Sequence, residues 1–278
     1  METNFYTGYR EIQLNDTELS QFYTGEYIFE QPLKENEYLL LIDEDGKIFD
    51  KYCYKNGELS KVKFPTIENK WSGIIKPRNC YQELAMDMLQ DRDSKVKLIK
   101  GVYGSGKDFL MLNEALNLVE NGDFQKIVFI RPNVTVANVP DIGYLKGDLD
   151  EKLGWTLGPL YDKVGGEEGV RRMIEKGTLE MMPLLFIRGR SFDNAIVYVS
   201  EGQNITSEIA KLIISRIGEN SELWMNGDNH QTDKKVFDKD NGILKMIDRL
   251  AGNKLFSYVY LPQTERGDVA NLANLLDD

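Results

Sequence analysis

The feature that most constrains this chain is the stretch Gly101-Val102-Tyr103-Gly104-Ser105-Gly106-Lys107-Asp108. An apolar run, Val96 to Ile99, precedes it, and a stretch with the pattern of a helix, 108–120, follows. G-x-x-x-x-G-K between a strand and a helix is the pattern of a phosphate-binding loop. The glycines let backbone N–H groups approach phosphate oxygens, and the helix N-terminus adds a favourable dipole. Gly101, Tyr103, Gly104, Ser105, Gly106, Lys107 and Asp108 are therefore the candidate nucleotide contacts, with Lys107 reaching the β and γ phosphates. The competing reading is a glycine-rich strand–helix connection that holds no ligand.

The rest of the chain supplies the setting for such a loop. Length, 278 residues, allows one large domain or two small ones. After about residue 77 apolar strands alternate with helices: a helix carrying Leu84, Met88 and Leu89, a strand at 96–99, a helix at 108–120 and a strand at 127–130. Further buried strands are expected at 195–199 and 223–225, with a helix at 207–216 between them. That alternation predicts an α/β fold, a parallel sheet with helices on both faces. Before residue 77 the pattern is different. Strands at 38–42 and 48–54 flank Asp45-Gly46, and Asn56-Gly57 leads to a third strand at 62–64, which together predict a small antiparallel meander. A short helix is expected at 15–24, capped by Asn15 or Asp16. The predicted division is a β-rich N-terminal domain over 1–74 and a nucleotide-binding domain over 75–278. The aromatics Phe5, Tyr6, Tyr9, Phe22, Tyr23, Tyr27 and Phe29 are expected to pack into the meander, with docking of a neighbouring subunit as the alternative.

Charge and rare residues exclude several classes. The 34 basic and 45 acidic residues give a net charge of −11, which rules out nucleic-acid binding by bulk attraction and leaves room only for a local basic groove. Cys53 and Cys80 cannot form a disulfide framework, and a single histidine, His230, excludes a His-rich zinc site. No apolar run approaches the roughly 18 residues of a membrane span, and the acidic start is no signal peptide, so a cytoplasmic protein is expected. Lys95 and Lys97 share one strand face and Lys100 ends that strand. They read as a solvated strand end, or as an edge near the nucleotide. Arg171-Arg172 reads as a solvated helix face.

Asp108 is the irregularity. The usual residue after the loop lysine is Ser or Thr, whose hydroxyl binds Mg²⁺, and the second metal partner is usually an Asp ending a later strand. Here that strand, Ala195 to Val199, is followed by Ser200-Glu201. Carboxylate and hydroxyl have exchanged places, which keeps the summed charge and the two oxygen-ligand types. Two readings stay open. In one, Asp108 coordinates Mg²⁺ and Ser200 holds a metal-bound water, with Glu201 as the water-activating base. The cost is a carboxylate beside polyphosphate, about 4 kcal/mol for like charges about 4 Å apart at an effective dielectric of about 20. In the other, the site has decayed and binds nucleotide weakly or not at all.

Several ordered motifs resemble the PhoH-like P-loop ATPases, especially the ATPase half of the fused PIN–PhoH proteins. They are Pro77-Arg78-Asn79-x-x-Gln82, Arg131-Pro132-Asn133, the stretch from Asp141 to Asp148 with Glu151-Lys152-Leu153, and Ile187-Arg188-Gly189-Arg190. Next come Ser200-Glu201-Gly202-Gln203-Asn204 where the family has "DEAQN", Ser215-Arg216-Ile217-Gly218, Gly227-Asp228-x-x-Gln231 and Thr264-Glu265-Arg266. The match runs from about Pro77 onward and departs at Lys146, Asp108, Ser200 and Gly202. No PIN nuclease is expected in the short region before it. The resemblance implies a RecA-like core, ring oligomers that are often hexamers, and ATP-dependent, helicase-like action on single-stranded RNA or DNA in a bacterial or bacteriophage protein. It implies that Gln82 reads the adenine edge and that Asp228 and Gln231 sense the γ-phosphate. Arg188, Arg190 and Arg266 become candidates for stabilising transition-state charge, in cis or from a neighbouring subunit. ATP and Mg²⁺ are the implied cofactors. The alternatives are a pseudo-ATPase acting as a ring-forming scaffold, and a regulatory partner of a separate nuclease.

Overall fold

The computed structural model describes residues 5–132, 158–228, 237 and 239–265. Its centre is a six-stranded, all-parallel sheet built from β7 (Val96–Gly101), β8 (Lys126–Ile130), β9 (Leu179–Met181), β10 (Ala195–Val199), β11 (Glu222–Gly227) and β12 (Phe256–Leu261), in the spatial order β12-β7-β11-β10-β8-β9. The phosphate-loop strand β7 and the Ser200-Glu201 strand β10 are thus separated by one strand, β11. β10 reads Ala-Ile-Val-Tyr-Val, and all five residues are buried because helices cover both faces.

On one face α2 (Cys80–Gln90) and α3 (Lys107–Glu120) pack Leu84, Met88, Leu112 and Leu116 against Ile99, Ile127 and Ile196. On the other, α6 (Ser207–Ile214) and α7 (Gly242–Leu250) pack Ala210, Ile213, Ile243 and Met246 against Leu98, Val197 and Leu223. Alternation along each strand sends successive side chains to opposite cores. The short helices α4 (Gly158–Tyr161) and α5 (Gly166–Glu175) lead into edge strand β9. On α5, Arg171 and Arg172 pair with Glu168 as an exposed charged face.

The N-terminal sheet has the order β1-β2-β3-β4, with β1 (Tyr9–Gln13), β2 (Glu37–Ile42), β3 (Ile48–Lys55) and β4 (Glu58–Lys61). Two expectations are corrected here. The third meander strand is 58–61 rather than 62–64, because the two-residue turn Asn56-Gly57 fixes the pairing of Lys55 with Glu58. The sheet also gains β1, parallel to β2, from the aromatic N-terminal segment. Helix α1 (Asp16–Thr24) starts with a capping box in which Asn15 and Glu18 bond each other's backbone N–H. Phe22 and Phe29 pack with Leu39, Leu41 and Tyr52.

A hairpin of β5 (Ile67–Asn69) and β6 (Gly73–Ile75) leads into α2, so position 74/75 lies within β6. The two sheets share a core: Tyr38 and Leu40 belong to the cluster that holds Leu84 and Leu116. Tyr38 Oη donates to Asp87 Oδ2 at 2.8 Å, Lys51 pairs with Glu83 at 3.0 Å, and Asn36 Nδ2 donates to the carbonyl of Phe256 at 2.9 Å.

Lys97 is not a solvated strand end. It is fully buried, with Nζ 2.7 Å from Glu222 Oε2 and donating to the Leu89 carbonyl at 2.7 Å. Burial pushes its pKa down to about 8, and the Glu222 carboxylate opposes that shift. Lys100 is also buried, with Nζ 3.8 Å from the Phe5 ring centroid.

Candidate nucleotide site

The loop from Gly101 to Lys107 leaves the C-terminal end of β7 and enters α3 directly. Gly104 and Gly106 have φ of 72° and 89°, the left-handed region that favours glycine. A Cβ at Gly106 would stand 2.9 Å from Gln82 Nε2, so the glycine also makes room for that side chain. The loop is held from three sides. Gln82 Nε2 donates to the Ser105 carbonyl at 2.9 Å, while Gln82 Oε1 accepts from the Arg78 N–H at 2.9 Å. The Glu265 N–H donates to the Gly104 carbonyl at 3.0 Å, and Glu265 is tied back to Arg78 and Asn79. Lys107 Nζ donates to the carbonyls of Gly101 and Val102 at 3.1 and 3.2 Å.

The loop borders a cleft of about 480 Å³. Of the residues expected there, Gln82, Tyr103, Gly104, Gly106, Lys107, Asp108, Glu201 and Asp228 line it. Gly101 and Ser105, also in the loop, are buried and do not line the cleft. The cleft adds Lys76, Arg78, Phe109, Asp162, Lys163 and Glu265, which sequence reasoning did not single out as ligands. Arg78 and Glu265 sit inside two of the recognised motifs, and that was the available signal.

Facing the loop, β10 and β11 bring together the residues expected at the metal position. Asp108 Oδ1 accepts from Tyr198 Oη at 2.6 Å, from Asn226 Nδ2 at 2.7 Å and from Ser200 Oγ at 3.2 Å. All three donors meet one oxygen, and Oδ2 has no hydrogen bond among the described residues. The Tyr198 phenol is held well above its ordinary pKa, first by burial and then by the Asp108 charge, so it remains a donor. The sequence pattern marks Tyr198 only as a strand residue and does not single out Asn226.

Glu201 follows at φ 59°, with its N–H donating to Asn226 Oδ1 at 3.1 Å. Its carboxylate accepts from Gln203 Nε2 at 2.6 Å and lies 3.7 Å from Arg131. Gln203 Oε1 in turn accepts from the N–H of buried Asp228 at 3.1 Å. The glycine at 202 has a local reason: a Cβ there would meet Met225 Cγ at 2.6 Å and the Asn226 carbonyl at 2.8 Å.

Arg188 and Arg190 are exposed and do not line this cleft. Arg190 pairs with Glu180 at 2.6 Å, and Arg188 borders a separate cleft with Thr206, Glu208 and Arg216. Gln231, His230 and Arg266 lie outside the described residues, as do Asn133 and the motif stretch from 141 to 153. Among the described residues no group of three or more His, Cys, Asp or Glu side chains gathers for a metal, and no helix is long and apolar enough to cross a membrane.

Strand order and loop together define a RecA-like P-loop fold, with the loop at the C-terminal edge of a parallel sheet. The chain belongs to the PhoH-like protein family, whose model matches residues 74–271. It is 30% identical to Protein PhoH2 of Bacillus subtilis (strain 168) over 286 residues, covering 96% of this chain and 63% of that protein. It is 32% identical to Protein PhoH2 of Thermobispora bispora over 202 residues, covering 71% and 46%. A PhoH-like protein of Bacillus subtilis is 35% identical over 168 residues, covering 59% and 52%. The chain therefore spans less than two thirds of the length of these curated relatives. Among solved structures, the Pif1 helicase of Candida albicans aligns over 73% of this chain and 44% of its own, at 14% identity and a TM-score of 0.37.

Proposed function

We propose that this protein binds ATP at the Gly101–Asp108 loop and hydrolyses it to remodel single-stranded RNA or DNA. The observation that carries the reading is that Lys107, Asp108 and Glu201 line one cleft at the phosphate loop, while the hydroxyl of Ser200, which is fully buried, donates to Asp108 at 3.2 Å. Lys107 is the cation for the β and γ phosphates, and Tyr103, a loop residue that lines the cleft, contacts the nucleotide. Glu201 is placed to take a proton from an attacking water, with Gln203 and Arg131 holding its carboxylate. Asp228, tied to Glu201 through Gln203, is the described γ-phosphate sensor, and Gln231 and Arg266 complete the proposed catalytic set. Gln82 fixes the loop backbone and lines the cleft, and the adenine edge is the proposed partner of its side chain.

The residues present fit Mg²⁺. A carboxylate oxygen without a hydrogen bond among the described residues and a neighbouring hydroxyl are hard donors, and Mg²⁺ is commonly held by one or two such groups plus phosphate oxygens and water. Asp108 would hold the ion through Oδ2, and Ser200 would hold one of its waters. The ion supplies charge neutralisation between phosphates, which offsets the repulsion of Asp108. The competing reading, a pseudo-ATPase scaffold, draws on that same carboxylate.

Arg188 and Arg190, outside the cleft of their own chain, suit action on a neighbouring subunit in a homo-oligomeric ring, with a hexamer as the specific proposal. The net charge of −11 opposes binding of nucleic acid by bulk attraction, so nucleic-acid contact is proposed for a local basic lining of that ring. We place the protein in the cytoplasm.

The test is ATP turnover with Mg²⁺ or Mn²⁺ against a Lys107→Ala control. Turnover lost in the control supports the reading. No turnover in either protein, with nucleotide still bound, favours the scaffold.

A further inference from the structure

Asn226 occupies an unusual place. It is buried on β11, 1% exposed, between the strand that carries Ser200-Glu201 and the strand that carries the phosphate loop. Its carboxamide is used at both ends. Nδ2 donates to Asp108 Oδ1 at 2.7 Å and lies 2.5 Å from Tyr198 Oη, while Oδ1 accepts from the Glu201 N–H at 3.1 Å. Chemistry fixes that orientation. A carboxylate only accepts and a backbone N–H only donates, so a flipped amide would set oxygen against oxygen and N–H against N–H.

Few side chains can do this in the same space. Asp at 226 would set a second carboxylate against Asp108, Leu would leave both partners unsatisfied, and a single hydroxyl can serve one partner well but not both. The planar group therefore sets two things at once. Together with Tyr198 and Ser200 it occupies Oδ1 of Asp108, which leaves Oδ2 as the carboxylate oxygen with no hydrogen bond among the described residues. It also anchors the backbone of Glu201 in a left-handed conformation that residues other than glycine adopt infrequently.

We infer that Asn226 is a positioning residue that sets the open oxygen of Asp108 and the carboxylate of Glu201 in register with each other. It acts through those residues rather than on substrate. The inference deepens the ATP reading and rests on it for its consequence. It also gives the exchanged Asp108/Ser200 pair a third member: a carboxylate moved onto the loop helix needs an orienting donor from the opposite strand, and Asn226 supplies one.

Two measurements on the full chain test this. The first is binding of a fluorescent ATP analogue as Mn²⁺ is titrated, for the native protein, Asn226→Ala and Asn226→Thr. Residues that orient a metal ligand typically cost about 10- to 100-fold in metal affinity when removed, so the Mn²⁺ needed for half-maximal binding rises by about that factor. Binding in EDTA stays at the native level. Equal losses with and without Mn²⁺, or an unchanged Mn²⁺ requirement, overturn the inference. The threonine variant, close in volume, guards against a misfolded alanine variant.

The second measurement needs no nucleotide. A double-mutant cycle of Asp108→Ala and Asn226→Ala by urea unfolding in EDTA gives non-additive losses if the two side chains are coupled. Additive losses overturn the inference even if ATP binds. If the native protein binds no nucleotide, the functional reading fails on its own, and the cycle still decides whether Asn226 holds Asp108.

Discussion

The hydroxyl of Ser200, at the end of β10, lies 3.2 Å from the carboxylate of Asp108, in the first turn of α3. The two positions proposed to have exchanged chemical types are thus direct neighbours, 92 residues apart in sequence. Asp108→Thr alone and Ser200→Asp alone are each expected to weaken Mg²⁺-dependent nucleotide binding. The double swap should restore it, because the carboxylate and the hydroxyl trade places across one hydrogen bond. Titration of ATP in Mg²⁺ checks this, and a double variant no better than the singles refutes it.

Lys107→Ala removes the cation of the loop and two hydrogen bonds to its carbonyls. Turnover should fall by about 10²- to 10³-fold, the usual loss for one preorganised electrostatic contact. Thermal stability without nucleotide should change little, since the side chain is only partly buried. A steady-state phosphate-release assay and a melting curve separate the two effects.

Tyr198→Phe deletes one of the three donors to Asp108 and leaves the ring in place against Phe129, 5.5 Å between centroids. Hydrogen bonds to charged groups contribute about 1.5–3 kcal/mol, and Ser200 and Asn226 remain, so the expected loss is near the lower figure. Urea unfolding measures it. No loss would mean that the phenol does not hold the carboxylate.

Glu114 on α3 is wholly buried, and Asn117 donates to its Oε2 at 3.0 Å. Burial raises its pKa from 4.5 to about 7. The folded state therefore holds a proton that the unfolded chain releases, so this contribution is complete below pH 4.5 and is lost as pH rises to about 7. Asp87, also raised by burial, slopes in the same direction. Glu114→Gln should flatten the native decline in stability across that window, as read from urea midpoints at pH 4.5, 5.5, 6.5 and 7.5.

Lys97→Met breaks the buried pair with Glu222 and leaves that carboxylate with Trp224 Nε1 at 2.8 Å and Arg92 at 3.3 Å. Breaking a buried pair from one side costs about 3–5 kcal/mol, and the two remaining donors should hold the loss to the lower end. Adding Glu222→Gln should recover part of it, which denaturant unfolding of the double variant would show.

By itself the sequence determined the parts of this protein that local chemistry controls. The loop from Gly101 to Lys107, the alternating strands and helices after it, and the Asn15 and Asn56-Gly57 signals are short-range patterns whose physics lies within a few residues. That Asp108 and Ser200 would be neighbours was legible too, because motif spacing pairs those two positions. Tertiary structure decided the rest. β1 pairs across 29 residues with β2, and a polar strand such as Glu58–Lys61 carries little apolar pattern to announce it. Lys97 looks like a surface lysine until Glu222, 125 residues away, neutralises it in the core. Asn226 and Tyr198 look like ordinary strand residues, and only the sheet order, which sets β11 between β7 and β10, brings them onto Asp108. Hydrogen bonds of this kind depend on distances between strands, and a linear pattern of apolar and polar residues does not encode them.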